Sequence, residues 1–311
     1  MWTPADFTLW QGRSDPGEGA LRWHQVIREP EAARPGVCLL GFASDLGVRL
    51  NRGRVGAAGG PDAMRRAMAG LPARHGVPIY DAGTIVVAED LAAGQAAYAD
   101  RTAALLGEGH AVLGLGGGHE IGWATYQGLA SHLEGSGGGR IGIVNFDAHF
   151  DLRDPREGGT SGTPFRQIAD DCGRRGIGFH YLCLGVSEAA NTRALFDYAD
   201  VAGARYLTDL ECTPEAAAPM LEALVSETDA LYVTVCLDAL PAAVAPGVSA
   251  PAALGIAPEF VVRCLRHLRA VSAAGAWRVA DIAELNPVHD PDGRTARTAA
   301  RIAWELSRAV G

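Results

Sequence analysis

Ile143-Val144-Asn145-Phe146-Asp147-Ala148-His149-Phe150-Asp151 opens as an apolar run and ends in a carboxylate, an imidazole and a second carboxylate at alternate positions. The run Ile141–Phe146 reads as a strand, and a strand without polar alternation is one buried on both faces. Similar runs recur at Val37–Phe42, Val77–Tyr80, His110–Leu115, His180–Leu184, Leu231–Leu237 and Trp277–Ile282. Between them the spacing predicts helices over Pro61–Ala69, Glu89–Leu106, Ile121–Leu133, Pro164–Arg174, Ala189–Tyr198, Pro214–Val225, Pro258–Ala270 and Thr295–Ala309. Several open on proline, whose missing N–H costs little in a first turn. The alternation specifies an α/β fold, a three-layer α/β/α sandwich with a mainly parallel sheet. No repeat, heptad array or linker-like stretch divides the chain, so residues 1–311 are read as one domain.

Composition narrows the function. The chain carries 27 basic and 36 acidic residues, a formal charge of −9. That balance argues against a nucleic-acid or anionic-membrane surface, which needs clustered positive charge. Lysine is absent, so all 27 cations are arginine. Schiff-base lysine chemistry and a Walker-type phosphate loop are thereby excluded. Cys38, Cys172, Cys183, Cys212, Cys236 and Cys264 are scattered with no C-x-x-C pair, which fits a reducing, cytoplasmic compartment. The N-terminus lacks a basic start and apolar core, so no signal peptide is expected. Ala239–Pro258 holds no charge, but Pro241, Pro246, Pro251 and Pro258 interrupt it. At about 3 kcal/mol per proline in a helix interior, it reads as a buried loop and not a membrane span.

In such a sheet, ligands bind beyond the carboxyl ends of the strands. An extended backbone would point Asp147, His149 and Asp151 the same way. Two carboxylates converging beyond an apolar strand resist burial unless a cation sits between them. Imidazole with carboxylates suits Mn, Fe or Zn; a solvated loop is the alternative. A second strand end reads Leu115-Gly116-Gly117-Gly118-His119-Glu120, compatible with either a ligating or a merely hydrogen-bonded histidine. At a third, Cys236 and Asp238 share a face. There, cysteine is equally readable as a small buried hydrophobe, and the aspartate as a cap.

Together, G-G-G-H-E, N-F-D-A-H-F-D and C-L-D followed by P-G-V-S-A-P resemble the ureohydrolase (arginase/agmatinase) superfamily. The resemblance runs from about Gly41 to Arg301 and includes Asn51-Arg52-Gly53-Arg54-Val55-Gly56, Ser161-Gly162-Thr163-Pro164-Phe165-Arg166 and Glu284-Leu285-Asn286-Pro287. These strings look most like the formimidoylglutamase branch, which serves histidine degradation. The resemblance implies two Mn²⁺ per chain, one on His119, Asp147 and Asp151 and the other on Asp147, His149 and Asp238. It further implies that a metal-activated hydroxide attacks the formimidoyl carbon and that Glu284 orients the amidine; in another reading, Glu284 only caps or salt-bridges.

Two departures stand out. Arginase-like enzymes carry a histidine near Phe165, and the family pattern has aspartate where this chain has Cys236. A sulfur at that bridging position weakens the expectation of a second manganese. Arg54 and Arg166 are read as lining the pocket mouth and gripping carboxylates bidentately, which favours an acidic small-molecule substrate. Three functions therefore compete: formimidoylglutamate hydrolase, ureohydrolase for agmatine or guanidinobutyrate, and a metal-impaired, non-catalytic binder. A homo-oligomer is compatible with all three.

Overall fold

The computed structural model describes residues 1–17, 19–73 and 76–309. Its strands are β1 (Trp2–Thr3), β2 (Val37–Ala43), β3 (Ile79–Val86), β4 (Ala111–Gly116), β5 (Ile141–Phe146), β6 (His180–Val186), β7 (Arg205–Thr208), β8 (Ala230–Cys236) and β9 (Trp277–Ala283). Short helices α1 (Trp23–Val26) and α2 (Leu46–Leu50) precede the larger ones. Those are α3 (Gly60–Met68), α4 (Leu91–Gly107), α5 (Ile121–Gly135), α6 (Pro164–Arg175), α7 (Arg193–Ala202), α8 (Pro214–Glu227), α9 (Pro258–Val271) and α10 (Arg294–Leu306).

The strands form a single sheet in the order β1-β3-β2-β4-β9-β8-β5-β6-β7. Every pairing is parallel except that of β1 with β3. Period-two alternation divides each central strand between two cores. Val144, Phe146, Val233 and Val235 face one layer, with Met64 and Met68 of α3, Leu221 of α8, Leu265 of α9 and Ile302 of α10. Ile143, Tyr181 and Tyr232 face the other, with Tyr98 of α4, Leu129 of α5 and Ile168 of α6. The α/β/α sandwich expected from the apolar runs is the observed fold. Chain order also places β8 and β9 between β4 and β5, so the crossovers leave an open crevice above these four strands.

Two edge strands, β1 and β7, are absent from the sequence reading because they are short and only half-buried or exposed. The third strand begins two residues later than expected and runs six further, to Val86. Asp81 lies within that extension and reads locally as a strand end, yet it is buried. Arg65 of α3 donates to it from Nε (2.8 Å) and Nη2 (2.9 Å), and Trp10 from Nε1 (2.9 Å). Both charged side chains are almost fully enclosed. Without Asp81 the buried guanidinium would keep only the exposed Asp62, at 3.7 Å, as a countercharge, and breaking such a buried pair costs about 3–5 kcal/mol. Asp81→Ala should lower unfolding free energy by that amount in urea titration; a loss under about 1 kcal/mol, the range of an exposed pair, would show that the pair is dispensable.

Candidate metal centre

Four adjacent strands, β4, β9, β8 and β5, each deliver a titratable group to the crevice beyond their carboxyl ends. After β4, Gly117 and Gly118 carry the chain to His119. A Cβ on Gly117 would lie 1.8 Å from the Ser44 carbonyl oxygen, and one on Gly118 would lie 2.0 Å from Glu120 Oε2. Only glycine permits this close approach of the turn to the segment after β2. Glu284 follows β9 with φ 72°, and its Oε1 accepts from the His119 backbone N–H at 2.9 Å.

Asp147 is fully buried just beyond β5. Its Oδ2 accepts from Asn145 Nδ2 (3.1 Å) and its Oδ1 from the His149 backbone N–H (2.8 Å). His119 Nδ1 lies 2.9 Å from a carboxylate oxygen of Asp147 and 2.9 Å from one of Asp151, yet meets neither in hydrogen-bond geometry. Behind it, His119 Nε2 contacts Thr234 Oγ1 at 3.0 Å, and the ring of Phe165 packs edge-on at 5.3 Å. These contacts fix the imidazole so that Nδ1 points at the acids, as an outer support does for a metal-ligating histidine. His149 Nδ1 stands 3.2 Å from Asp238 Oδ2 and 3.5 Å from Asp147 Oδ1. The Cys236 thiol donates to Asp238 Oδ1 at 2.8 Å.

Two groups offer ligand atoms within 4.8 Å of one another: His119 with Asp147 and Cys236, and Asp147 with His149 and Asp238. The donor set suits divalent cations, and its charges call for them. Burial disfavours the imidazolium of His119, but Asp147 and Asp151 override it and hold the ring's pKa well above the usual value. Burial likewise opposes charging of His149, while Asp238 and Asp147 push its pKa up to about 12. Burial, with the Asp147 charge second, raises the carboxyls of Asp151 and Asp238. Burial also raises Glu284, aided by Asp238 and Glu120. A cluster that draws protons this strongly is one where a bound cation relieves like-charge repulsion. His119 Nδ1 and Glu284 Oε2 are buried polar atoms without hydrogen bonds, and both residues line a cavity of about 290 Å³.

Three sequence readings change. Asp147, His149 and Asp151 do converge, but not along an extended run. The chain bends at Ala148 and His149, and Asp151 adopts φ 49°, which turns its carboxylate back toward His119. Arg54 lines the cavity, but its guanidinium is spent on the carbonyls of Pro246, Val248 and Ser249 and so clamps the proline-rich loop. Arg166 does not line it: its guanidinium lies 3.5 Å over the Tyr198 ring and pairs with Asp170. Arg52 and Arg153, missed in the sequence, do line the cavity. Among the described residues neither guanidinium makes a hydrogen bond or ion pair. Arg153 had a signal: it continues the alternation of 147, 149 and 151.

A model of the arginase family matches residues 35–308. The chain is 48% identical to the formimidoylglutamase of Hahella chejuensis, over all of this chain and 97% of that protein. It is 52% identical to that of Aromatoleum aromaticum, over 97% and 92%. Among solved structures, the formimidoylglutamase of Bacillus subtilis superposes with a TM-score of 0.83 at 23% identity, covering 96% of this chain and 94% of that one. Trypanosoma cruzi formiminoglutamase with Mn²⁺ gives 0.76 at 24%, covering 88% and 92%. At that identity these structures speak for the fold.

Asp147 touches both ligand groups, whereas His149 touches one. Asp147→Ala should therefore empty the centre and His149→Ala only half of it. Elemental analysis of the purified variants, with circular dichroism to verify folding, checks this. Wild-type metal content in folded Asp147→Ala would show that the cations lie elsewhere.

Proposed function

This chain belongs to the arginase family and hydrolyses amidine C–N bonds; we propose that its substrate is N-formimidoyl-L-glutamate, released as L-glutamate and formamide in histidine degradation. The observation that carries the reading is one cavity with acids and imidazoles at its base and two unpaired guanidiniums, Arg52 and Arg153, among its lining residues. The relatives named formimidoylglutamase, at about half identity over nearly the whole chain, support it.

His119, Asp147, Asp151, Cys236, His149 and Asp238 would hold two divalent cations, manganese being the one named for a neighbouring structure. When bound, such cations polarise the amidine and lower the pKa of water toward neutrality. The chain itself supplies position and charge. Glu284, anchored through Oε1 on the His119 backbone, keeps Oε2 free for an amidine N–H. Arg52 and Arg153 take the two carboxylates of the substrate, matching planar forks to planar anions. Asn51 Nδ2 donates to Ser161 Oγ at 3.1 Å, tying together the two loops that carry these arginines. Gly162 leaves room for the arrangement, since a Cβ there would meet Arg153 Cδ at 2.8 Å. A doubly cationic substrate such as agmatine would face both guanidiniums unpaired, which disfavours the ureohydrolase reading. The six free cysteines support a reducing, cytoplasmic setting; no described helix is long and apolar enough to cross a membrane.

A charge-assisted hydrogen bond contributes about 1.5–3 kcal/mol, or about 10- to 150-fold in affinity. Arg153→Ala and Arg52→Ala should each raise KM for formimidoylglutamate by such a factor and leave that for a neutral formamidine little changed. Arg166→Ala should affect the two substrates equally. Steady-state kinetics on both compounds decides: equal effects of Arg52→Ala and Arg153→Ala would remove these arginines from carboxylate recognition, and no turnover of formimidoylglutamate by metal-loaded enzyme would overturn the proposed substrate.

A further inference from the structure

Three kinds of ligand atom, imidazole nitrogen, carboxylate oxygen and thiol sulfur, meet at this centre, and they are not shared evenly. One group contains an imidazole, a carboxylate and a thiol, on His119, Asp147 and Cys236, with the Asp151 carboxylate 2.9 Å from His119 Nδ1 beside it; the other contains an imidazole and two carboxylates, on Asp147, His149 and Asp238, and no sulfur. Cys236 is buried at the end of β8 and lines the cavity. Among the described residues, no other cysteine belongs to a ligand group. Cys38, Cys172, Cys183 and Cys264 are packed among hydrophobic side chains of the two cores. The buried Nδ1 of His119, in the same group as the sulfur, lies 2.9 Å from carboxylate oxygens of both Asp147 and Asp151 yet makes no hydrogen bond to either. That is the arrangement of a ligand atom aimed among acids, and it marks that half independently as a ligand position.

Sulfur and carboxylate donors prefer different cations. Thiolate is soft and selects zinc-like ions, whereas an oxygen-rich set suits manganese. We propose that the centre is chemically divided: the half made by His119, Asp147 and Cys236 selects a thiophilic cation of the zinc class, and the half made by Asp147, His149 and Asp238 holds a hard cation of the manganese class. The inference rests on the binuclear reading above and deepens it. On binding, the sulfur exchanges its proton for the cation; the proton leaves to solvent, and Asp238 loses the S–H donor it accepts from in the metal-free chain.

Zinc outcompetes manganese on most such donor sets, so the informative quantity is the difference between the two halves. The test loads reduced, metal-stripped protein with Mn²⁺ and titrates it with Zn²⁺, following released manganese by elemental analysis and the remaining manganese by electron paramagnetic resonance. Wild type should exchange in two steps, the second needing about tenfold or more zinc than the first. After the first step, the spectrum should become that of isolated Mn²⁺. Cys236→Asp should merge the steps, and Cys236→Ser, nearly isosteric, should lose the early step while folding as wild type. Cobalt should give a thiolate charge-transfer band in wild type and in neither variant. Single-step exchange in wild type, a cobalt complex without that band, or two steps that persist in Cys236→Asp would each overturn the proposal. Turnover assays separate it from the substrate reading. A divided centre without formimidoylglutamate hydrolysis defeats only the latter, and hydrolysis by a centre that exchanges in one step defeats only the former.

Discussion

Three aspartates and a glutamate converge beyond four neighbouring parallel strands, and their mutual repulsion is the constraint around which the molecule is organised. A hydrophobic sheet cannot bury such a cluster by itself, because burial opposes the charge of every carboxylate there, and only Asp147, set between the two imidazoles, is held below the usual carboxylate range. Charge must come from outside the acids. The two imidazoles supply part of it, and a bound divalent cation would supply more. The order of the sheet follows the same need, since the insertion of β8 and β9 between β4 and β5 lets four strand ends meet above one crevice.

Local geometry bends to this requirement. Among the described non-glycine residues only Arg52, Asp151, Glu284 and Asp292 adopt positive φ, and the first three line the cavity. Each left-handed residue costs on the order of 1–3 kcal/mol, so the surrounding packing must hold it in place. Asp151 shows why: in the extended conformation its carboxylate would not turn back to the His119 ring. The strain is localised where ligand atoms are aimed, while the two cores on either side of the sheet remain regular.

The fold was legible because its signal is local and repeated: an apolar run, a glycine- or proline-marked turn, a helix. The convergence of Asp147, His149, His119 and Asp238 was legible for a related reason, since strand ends are where an α/β sheet presents its ligands. The arginines were not legible. A guanidinium on a long, flexible stem reaches several partners, and nothing near Arg54 in sequence shows that the carbonyls of Pro246, Val248 and Ser249 will occupy it. Nothing near Arg166 reveals Tyr198. The third strand, read as ending at Tyr80, was cut short for the opposite reason: a charge such as Asp81 looks like a strand end until its partner, Arg65 on another element, is known. The neighbours of Cys236 could be guessed from spacing, but its hydrogen bond to Asp238 needed coordinates.

The glycine turn after β4 has a consequence for how such a protein can change. At Gly117 the space is already taken by the Ser44 carbonyl, and at Gly118 by Glu120, so almost no substitution there is sterically neutral. The rest of the cavity lining comes instead from connecting segments, at 51–54, 153, 161, 190–191 and 249–250, with Leu195 of α7 beside them. Chemistry and selectivity are thus encoded in separate stretches of chain with very different tolerance. The candidate metal centre is locked into the strand ends, and the loops around it are free to vary. A lineage built on this plan can exchange one amidine for another by drift in its loops, with the reacting centre carried along unchanged.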